Sequence, residues 1–413
     1  MNDLPAGRVP DKGLAAHPKL TVLVLAMCQA LAMTGATMLI LVATLAGEML
    51  AVDKSLATLP IGLMFVGTMV TTVPASFLMK RVGRRAGFTV GAIIGVGAAS
   101  LGAWSLHEGD FTILVAAGFT QGMYNAFWQY YRFAAADAVD DSYMSRAISY
   151  VMAGGVVAAV IGPELAKASI GLVADVPYAG SYMAMAGLSG LSLILIQFID
   201  IPRPGEAERS GGGRPLREIV AAPTFLIAVL AAMIGYGSMA FVMTATPLAM
   251  KFHAHGFSDT AFVIQWHALG MFVPSFFTGH LIRYFGAVRV ILAGTVAMLA
   301  TVAVNLSGAG LWEFWTALLL LGIGWNFMFV GGTTLLTEIY TVQEKAKVQG
   351  MNDLLVFGTN AVASLSAGAV HHLFGWQAVN YAVTLPLAVV FATAFWLRVK
   401  RRAAQRAEVS TAS

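Results

Sequence analysis

Long apolar runs, each near the length of a bilayer crossing, alternate with short polar breaks along almost the whole chain. A hydrophobic stretch of about 20 residues spans hydrocarbon as a helix. In that medium, helices and closed barrels alone satisfy their own backbone polar groups. Barrel strands alternate apolar and polar positions over roughly ten residues, whereas these runs are long and uniformly apolar. The pattern predicts twelve transmembrane helices, at 20–45, 58–79, 86–106, 111–133, 146–172 and 176–199, then 219–249, 260–282, 287–307, 313–336, 348–373 and 376–397. The expected fold class is therefore an all-α integral membrane protein. No segment between the runs is long enough to fold alone, and the first run is too long for a signal-peptide core, so it is read as a retained helix.

Composition sharpens this picture. Of 413 residues, 58% are hydrophobic and 11% charged, with a mean hydropathy of +0.75, against about a quarter charged in soluble domains. All Lys and Arg residues except Lys54, Lys167 and Lys251 fall on one side of the predicted membrane, or at helix ends facing it. Basic residues favour the cytoplasmic side, so both termini are expected there. The net charge of +4 then reflects topology, and no nucleic-acid partner is expected. Cys28, the single cysteine, has no partner for a disulfide or metal site and reads as a small core residue. Gly95-Val-Gly97 and Gly322-Ile-Gly324 lie inside apolar spans without the strand–turn–helix setting that phosphate binding requires. No phosphate-loop lysine, zinc-ligand spacing or nucleophile elbow occurs. An enzyme and an ATP-driven pump are both excluded, and no cofactor or metal is expected.

The polar stretch 200–218, rich in Gly and Pro, reads as a cytoplasmic linker. It separates six-helix units at 20–199 and 219–397, flanked by cytoplasmic tails at 1–19 and 398–413. The units repeat. Gly67, Ser76, Lys80 and Gly83 align with Gly270, Gly279, Arg283 and Gly286, always 203 residues apart. Asp137 and Arg146 align with Glu338 and Lys347, 201 residues apart. Parallel repeats of this kind place a solute path at their interface near the bilayer midplane and move by rocking.

The segment Ser76-Phe-Leu-Met-Lys80-Arg81-Val-Gly83-Arg84-Arg85 resembles the loop between helices 2 and 3 of the major facilitator superfamily, usually Gly-x-x-x-Asp-Arg-x-Gly-Arg-Arg. The resemblance extends over the whole chain through the twelve spans, the linker and the repeat. It implies two pseudo-symmetric six-helix bundles, secondary active transport of a small organic solute by alternating access, a proton-coupled cycle, membrane lipid as surroundings and a monomer. Three departures stand out. Ser76 replaces the glycine, Lys80 replaces the aspartate, and Gly118-Phe-Thr-Gln121-Gly122 lacks the arginine of the family's helix-4 motif. Gly162-Pro163 resembles part of a motif associated with antiporters, which keeps proton-coupled efflux of amphipathic compounds as the alternative. Gly324-Trp-Asn-Phe-Met-Phe-Val-Gly331-Gly332 and Lys347-Val-Gln-Gly-Met-Asn-Asp353 resemble a subgroup of small proteobacterial facilitators, some of which import riboflavin. This resemblance places the chain in a bacterial inner membrane and makes riboflavin a candidate solute.

Several side chains could carry chemistry. Gln121, Asn125, Trp128 and Arg132 are spaced 4, 3 and 4 residues, one side of a helix, with Tyr124 beside them. By resemblance, helices 1, 4, 7 and 10 line the cavity. They contribute Gln29 and Thr37; Gln121, Tyr124, Asn125 and Trp128; Tyr236 and Thr244; and Trp325 and Asn326. Amides and hydroxyls can bond a polar solute while Trp and Tyr stack on a planar one. Arg132, near the inner end, reads as a membrane anchor or gate. Charge in hydrocarbon costs about 2.5 kcal/mol or more, so Glu164 and His267 are candidates for proton coupling. Glu164 has a second reading as an ion pair with Lys167, and His267 one as a packing histidine. Lys80, Arg81, Arg84, Arg85 and Arg283, with the acid–base pairs Asp137/Arg146 and Glu338/Lys347, are expected to gate the cytoplasmic mouth.

Overall fold

Two glycines, 203 residues apart, show how closely the second half repeats the first. Gly83 (φ 91°, ψ 162°) joins α2 (Leu59–Val82) to α3 (Arg84–Glu108) after α1 (Pro18–Leu50). Gly286 (φ 85°, ψ 148°) makes the corresponding joint between Ser275–Phe285 and Ala287–Ser307. A side chain at such positive φ is strained, and glycine is not. The chain is described by a computed structural model over residues 17–201, 213–341 and 344–412. In these segments the first half continues through α4 (Phe111–Trp128), α5 (Tyr131–Asp137), α6 (Asp141–Ser169) and α7 (Ala179–Ile196). The short α8 (Leu216–Val220) leads into the second half, α9 (Pro223–Phe252), α10 (Phe257–Phe272), α11 (Ser275–Phe285), α12 (Ala287–Ser307), α13 (Leu311–Thr337) and α14 (Lys345–Ala412).

Local chemistry sets many of these limits. Proline occupies the first turn of α1, α2 and α9, where its missing amide hydrogen has no intrahelical partner to lose. Asp110 caps α4, its carboxylate accepting from the amides of Thr112 at 2.6 Å and Ile113 at 3.2 Å. Among the described residues nine helices are long and apolar enough to cross a bilayer, ten when the bent pair α10–α11 is one crossing. α14 is counted once there although Gly375 (φ 78°) interrupts it, dividing the eleventh and twelfth expected spans. α4 is not among the nine, because Gln121 and Asn125 dilute its hydropathy.

Small residues let the backbones touch. A Cβ on Gly118 would stand 2.2 Å from the Pro60 carbonyl oxygen, and one on Gly122 2.0 Å from that of Met64, so α4 lies flush on α2. α13 repeats the device against α10, where a Cβ on Gly322 would come within 2.4 Å of the His267 carbonyl oxygen. In membranes, where apolar burial gives no net drive, such close packing holds helices together. The first half packs mainly through α2–α4, α1–α6, α3–α4 and α3–α7, the second through α9–α14 and α12–α13. The seam between them runs along α2–α14, α6–α10 and α1–α9.

Three expected spans differ in detail. The fourth (111–133) is two helices, α4 and α5, broken at Gln129 and Tyr130. The eighth bends by 42° between α10 and α11, at Pro274. The helix of the twelfth continues through the expected tail to Ala412. Residues 1–16 of the expected N-terminal tail and 202–212 of the expected linker lie outside the described residues. The end of that linker is anchored: Arg214 donates through Nε and Nη2 to the Glu344 carboxylate, both at 2.9 Å, and through Nη2 to the Ile339 carbonyl at 2.7 Å.

Candidate functional site

The two halves interlock at the end of the molecule remote from the termini. Lys251 on α9 forms an ion pair with Glu48 on α1. The Thr58 hydroxyl accepts from the Gly368 amide of α14 at 3.1 Å, and Tyr178 meets Phe257 with ring centroids 6.2 Å apart. Gln265 on α10 donates to the Val160 carbonyl of α6 at 3.3 Å. These contacts across the seam all lie towards this far end.

Each half carries a different cluster of side chains. On α4 the Trp128 indole donates to Asn125 Oδ1 at 2.9 Å, with Gln121 Nε2 3.5 Å from the same oxygen. This line of polar groups is the face expected from the 4, 3 spacing. The second half supplies aromatic surface. Trp325 and Phe329, one turn apart on α13, stack at 5.2 Å with planes 8° apart. Tyr236 on α9 stands edge-on to both, at 5.3 and 5.4 Å, and Phe272 closes the group 6.4 Å from Trp325. The Trp325 Nε1–H is buried and has no acceptor. Tyr236 and Phe329 remain partly open.

Other candidates sit elsewhere. Asn326 is fully buried and works as a brace. Its Nδ2 donates to the Met271 carbonyl at 2.7 Å and to Ser275 Oγ at 2.6 Å, while its Oδ1 accepts from Thr278 Oγ1 at 2.6 Å. These contacts straddle the break at Pro274, where the main-chain ladder is interrupted, so a side-chain amide serves the bend. The Tyr124 ring lies where a Cβ on Gly95 of α3 would be, 2.7 Å away, inside the first half. Thr244 shares a hydrogen bond with Ser364 at 3.3 Å, tying α9 to α14. Thr37 donates to the Met33 carbonyl at 3.0 Å and packs on Gly162 of α6. Gln29 is buried with Oε1 unpaired. His267 Nδ1 lies 2.8 Å from the Leu318 carbonyl, joining α10 to α13 away from the seam. Glu164 pairs with Lys167 at 2.6 Å.

The charges expected at the mouth are joined differently from the sequence pairing. Asp137 takes Arg84 rather than Arg146, at 2.6 Å, and Glu338 takes Arg401 rather than Lys347, at 2.9 Å. Both bridges stay within one half, because an acid at a helix end meets bases on packed neighbours before one nine positions along its own loop. Arg146 lies 6.0 Å over the Tyr143 ring, and Lys347 donates to the Arg214 carbonyl. Lys80, Arg81, Arg85 and Arg283 are exposed. The hydrogen bonds from Arg214 and from the Thr341 amide hold the Glu344 carboxyl well below the usual carboxylate range.

Sequence reasoning passed over Phe272 and Phe329 as site residues, although Phe329 follows Trp325 by one helical turn. It also gave Asp353 no role beyond a motif. Asp353 is exposed, and Arg132 of the other half rests 4.8 Å over the Phe133 ring.

An all-helical membrane fold of two repeated bundles packed along a seam is that of a solute carrier. The chain belongs to the Major Facilitator Superfamily, whose family profile matches residues 25–272 and 228–412. It is 38% identical over 385 residues to the riboflavin transporter RfnT of Brucella anthropi, covering 93% of this chain and 96% of that one. Among solved structures it resembles a bacterial homologue of the human lysosomal transporter Spinster, inward-facing and occupied, with a TM-score of 0.71 at 14% identity, covering 93% and 97% of the two chains. It also resembles the nucleoside transporter NupG, with a TM-score of 0.69 at 12% identity, covering 91% and 99%. The protein is a secondary transporter of a small solute, not an enzyme.

Proposed function

We propose that this carrier imports a planar heteroaromatic metabolite, riboflavin in the first instance, across a bacterial inner membrane by alternating access. The observation that carries the reading is the aromatic wall of Tyr236, Trp325 and Phe329, set in one half while the other half offers the Gln121–Asn125–Trp128 amide line. A flat ring can stack on the first and hydrogen-bond to the second. The riboflavin transporter of Brucella anthropi, alike over nearly the full length, supports the same solute class. The excess of Lys and Arg at the terminal end supports cytoplasmic termini. In that orientation the far-end contacts shut the periplasmic side, and the described state is the inward-facing one. The proton gradient is the energy source in this reading.

The test is accumulation of labelled riboflavin in a riboflavin-uptake-deficient auxotroph expressing the chain, with and without protonophore. Uptake above vector that collapses with protonophore is expected. No uptake despite confirmed membrane expression overturns riboflavin import, and uptake indifferent to protonophore overturns the coupling.

A further inference from the structure

We propose that the cavity at the far end of the seam is the carrier's proton-binding site, where His371 and His372 take protons from the outer solution and, once charged, clamp the two halves together. This rests on the proton-coupled reading above and names the groups that perform the coupling.

The coupling groups expected from sequence are each partnered inside their own half, Glu164 by Lys167 and His267 by the Leu318 carbonyl. The far end differs. A cavity of about 260 Å3 lies between the halves there, walled by Glu48 and Lys54 of the first and by Lys251, Phe252, His371 and His372 of the second. Three contacts fix its frame. The Gly368 amide, one turn before the histidines on α14, bonds the Thr58 hydroxyl at 3.1 Å. Lys251 pairs with Glu48 across the seam, and Phe252 stands edge-on to the His371 ring with centroids 6.3 Å apart. His372 is exposed, whereas His371 Nε2 is buried and has no hydrogen-bond partner among the described residues. One ring thus meets the solvent, and the other keeps a ring nitrogen uncommitted inside.

Charge decides which way a proton moves this gate. The first half brings Glu48, Lys54 and Asp53, whose carboxylate accepts from the Ser55 amide at 2.9 Å in the short turn Lys54–Leu56. Lys54 is turned back on its own half, donating to the Glu48 and Ala51 carbonyls at 2.6 and 2.8 Å. Two acids against one base leave this side negative. The second half answers with Lys251, while His253 is occupied elsewhere, its Nδ1 2.8 Å from the Ala249 carbonyl and its ring 6.2 Å from Phe314. Protonating His371 and His372 adds positive charge to the second half. Repulsion among Lys251 and the two histidines lies within one half, so it is present whether the seam is shut or open. Their attraction to the acids of the first half exists when the seam is shut. A difference between states is what shifts an equilibrium, so acid on the outer side closes the far end. Histidine titrates near pH 6.5, within reach of an acidified outer face. Each proton taken from outside then shuts the door behind an entering solute.

The experiment is double electron–electron resonance on full-length protein in nanodiscs, without solute. Spin labels go on cysteines at the exposed positions Val52 and Ser307, one in each half, with the native thiol removed by Cys28→Ala. The ratio of short to long label distances should rise about three- to tenfold from about pH 8 to about pH 5.5. Combining His371→Gln with His372→Gln should hold the ratio at its alkaline value throughout. Either single change should keep part of the response, and the singles stand in if the double variant is not monodisperse. Glu48→Gln should lower the ratio and flatten its pH dependence although both histidines remain. A ratio that ignores pH in the parent, or a response that survives loss of the histidines, overturns this inference and leaves the solute reading intact. Uptake indifferent to protonophore, with the pH-driven closure present, instead overturns the coupling and leaves the latch.

Discussion

Replacing Asn326 with alanine should weaken the second half without touching solute affinity. The amide is fully buried and makes three side-chain hydrogen bonds around the α10–α11 break. Thr278 can turn its hydroxyl back to the Pro274 carbonyl, which it already approaches at 2.8 Å, so that bond is replaced. The bonds to the Met271 carbonyl and the Ser275 hydroxyl are not. Interhelical hydrogen bonds in membrane proteins are worth about 0.6 kcal/mol on average and up to about 1.7, so losing two costs about 1–3 kcal/mol. SDS titration of the folded protein in mixed micelles reads this directly. Thr278→Val, which removes the replaceable bond, should cost less than Asn326→Ala. Half-saturation for transport should move less than about twofold, because the side chain faces the bend and not the seam. Unchanged stability together with a raised half-saturation concentration would refute the brace and return Asn326 to the solute site.

Gly122→Ala should separate α4 from α2, since the new Cβ would meet the Met64 carbonyl oxygen at 2.0 Å; the expected penalty is about 1–3 kcal/mol, and a thermal unfolding midpoint equal to wild type would sink the flush contact. Glu48→Gln should release the far-end ion pair with Lys251 and raise labelling of a cysteine at Thr37 from the side remote from the termini by up to about fivefold. Exchanging the two charges should restore the original rate; labelling that ignores both changes argues against a latch. The Glu344 carboxyl, held low by Arg214, adds stability that is fully present above its unfolded pKa of about 4.3 and fades as pH falls through the lower folded value. The midpoint gap between wild type and Glu344→Gln should therefore be constant from neutral pH to about pH 5 and close under stronger acid; a gap that shrinks already between pH 7 and pH 6 would contradict the assignment.

Backbone demands were the most legible part of the chain. Gly83 and Gly286 declared their shared joint through a constant offset, since a left-handed turn leaves sequence little choice but glycine. The polar face of α4 was also readable, because Gln121, Asn125 and Trp128 fall on one side at any helical register. Side-chain direction across a bundle was not. Asn326 and Tyr124 look like cavity residues by type and spacing, yet one serves a bend created by Pro274 and the other fills the gap at Gly95. Those partners lie tens of residues away, and a helix periodicity does not say which neighbour each face meets. The charge pairs fail for the same reason: Asp137 and Arg84 are 53 residues apart, a separation that only packing closes.

The far-end ion pair also sets a mechanical ratio. With Glu48 and Lys251 as a fulcrum, α9, 30 residues long, is a lever of about 45 Å. In the proposed rocking motion a swing of about 10° there moves the opposite end by about 8 Å, enough to seal off a tricyclic ring while the far-end pair still holds. The pair parts only as the far end opens in turn. Small adjustments at one rim are geared into the passage of a whole molecule at the other.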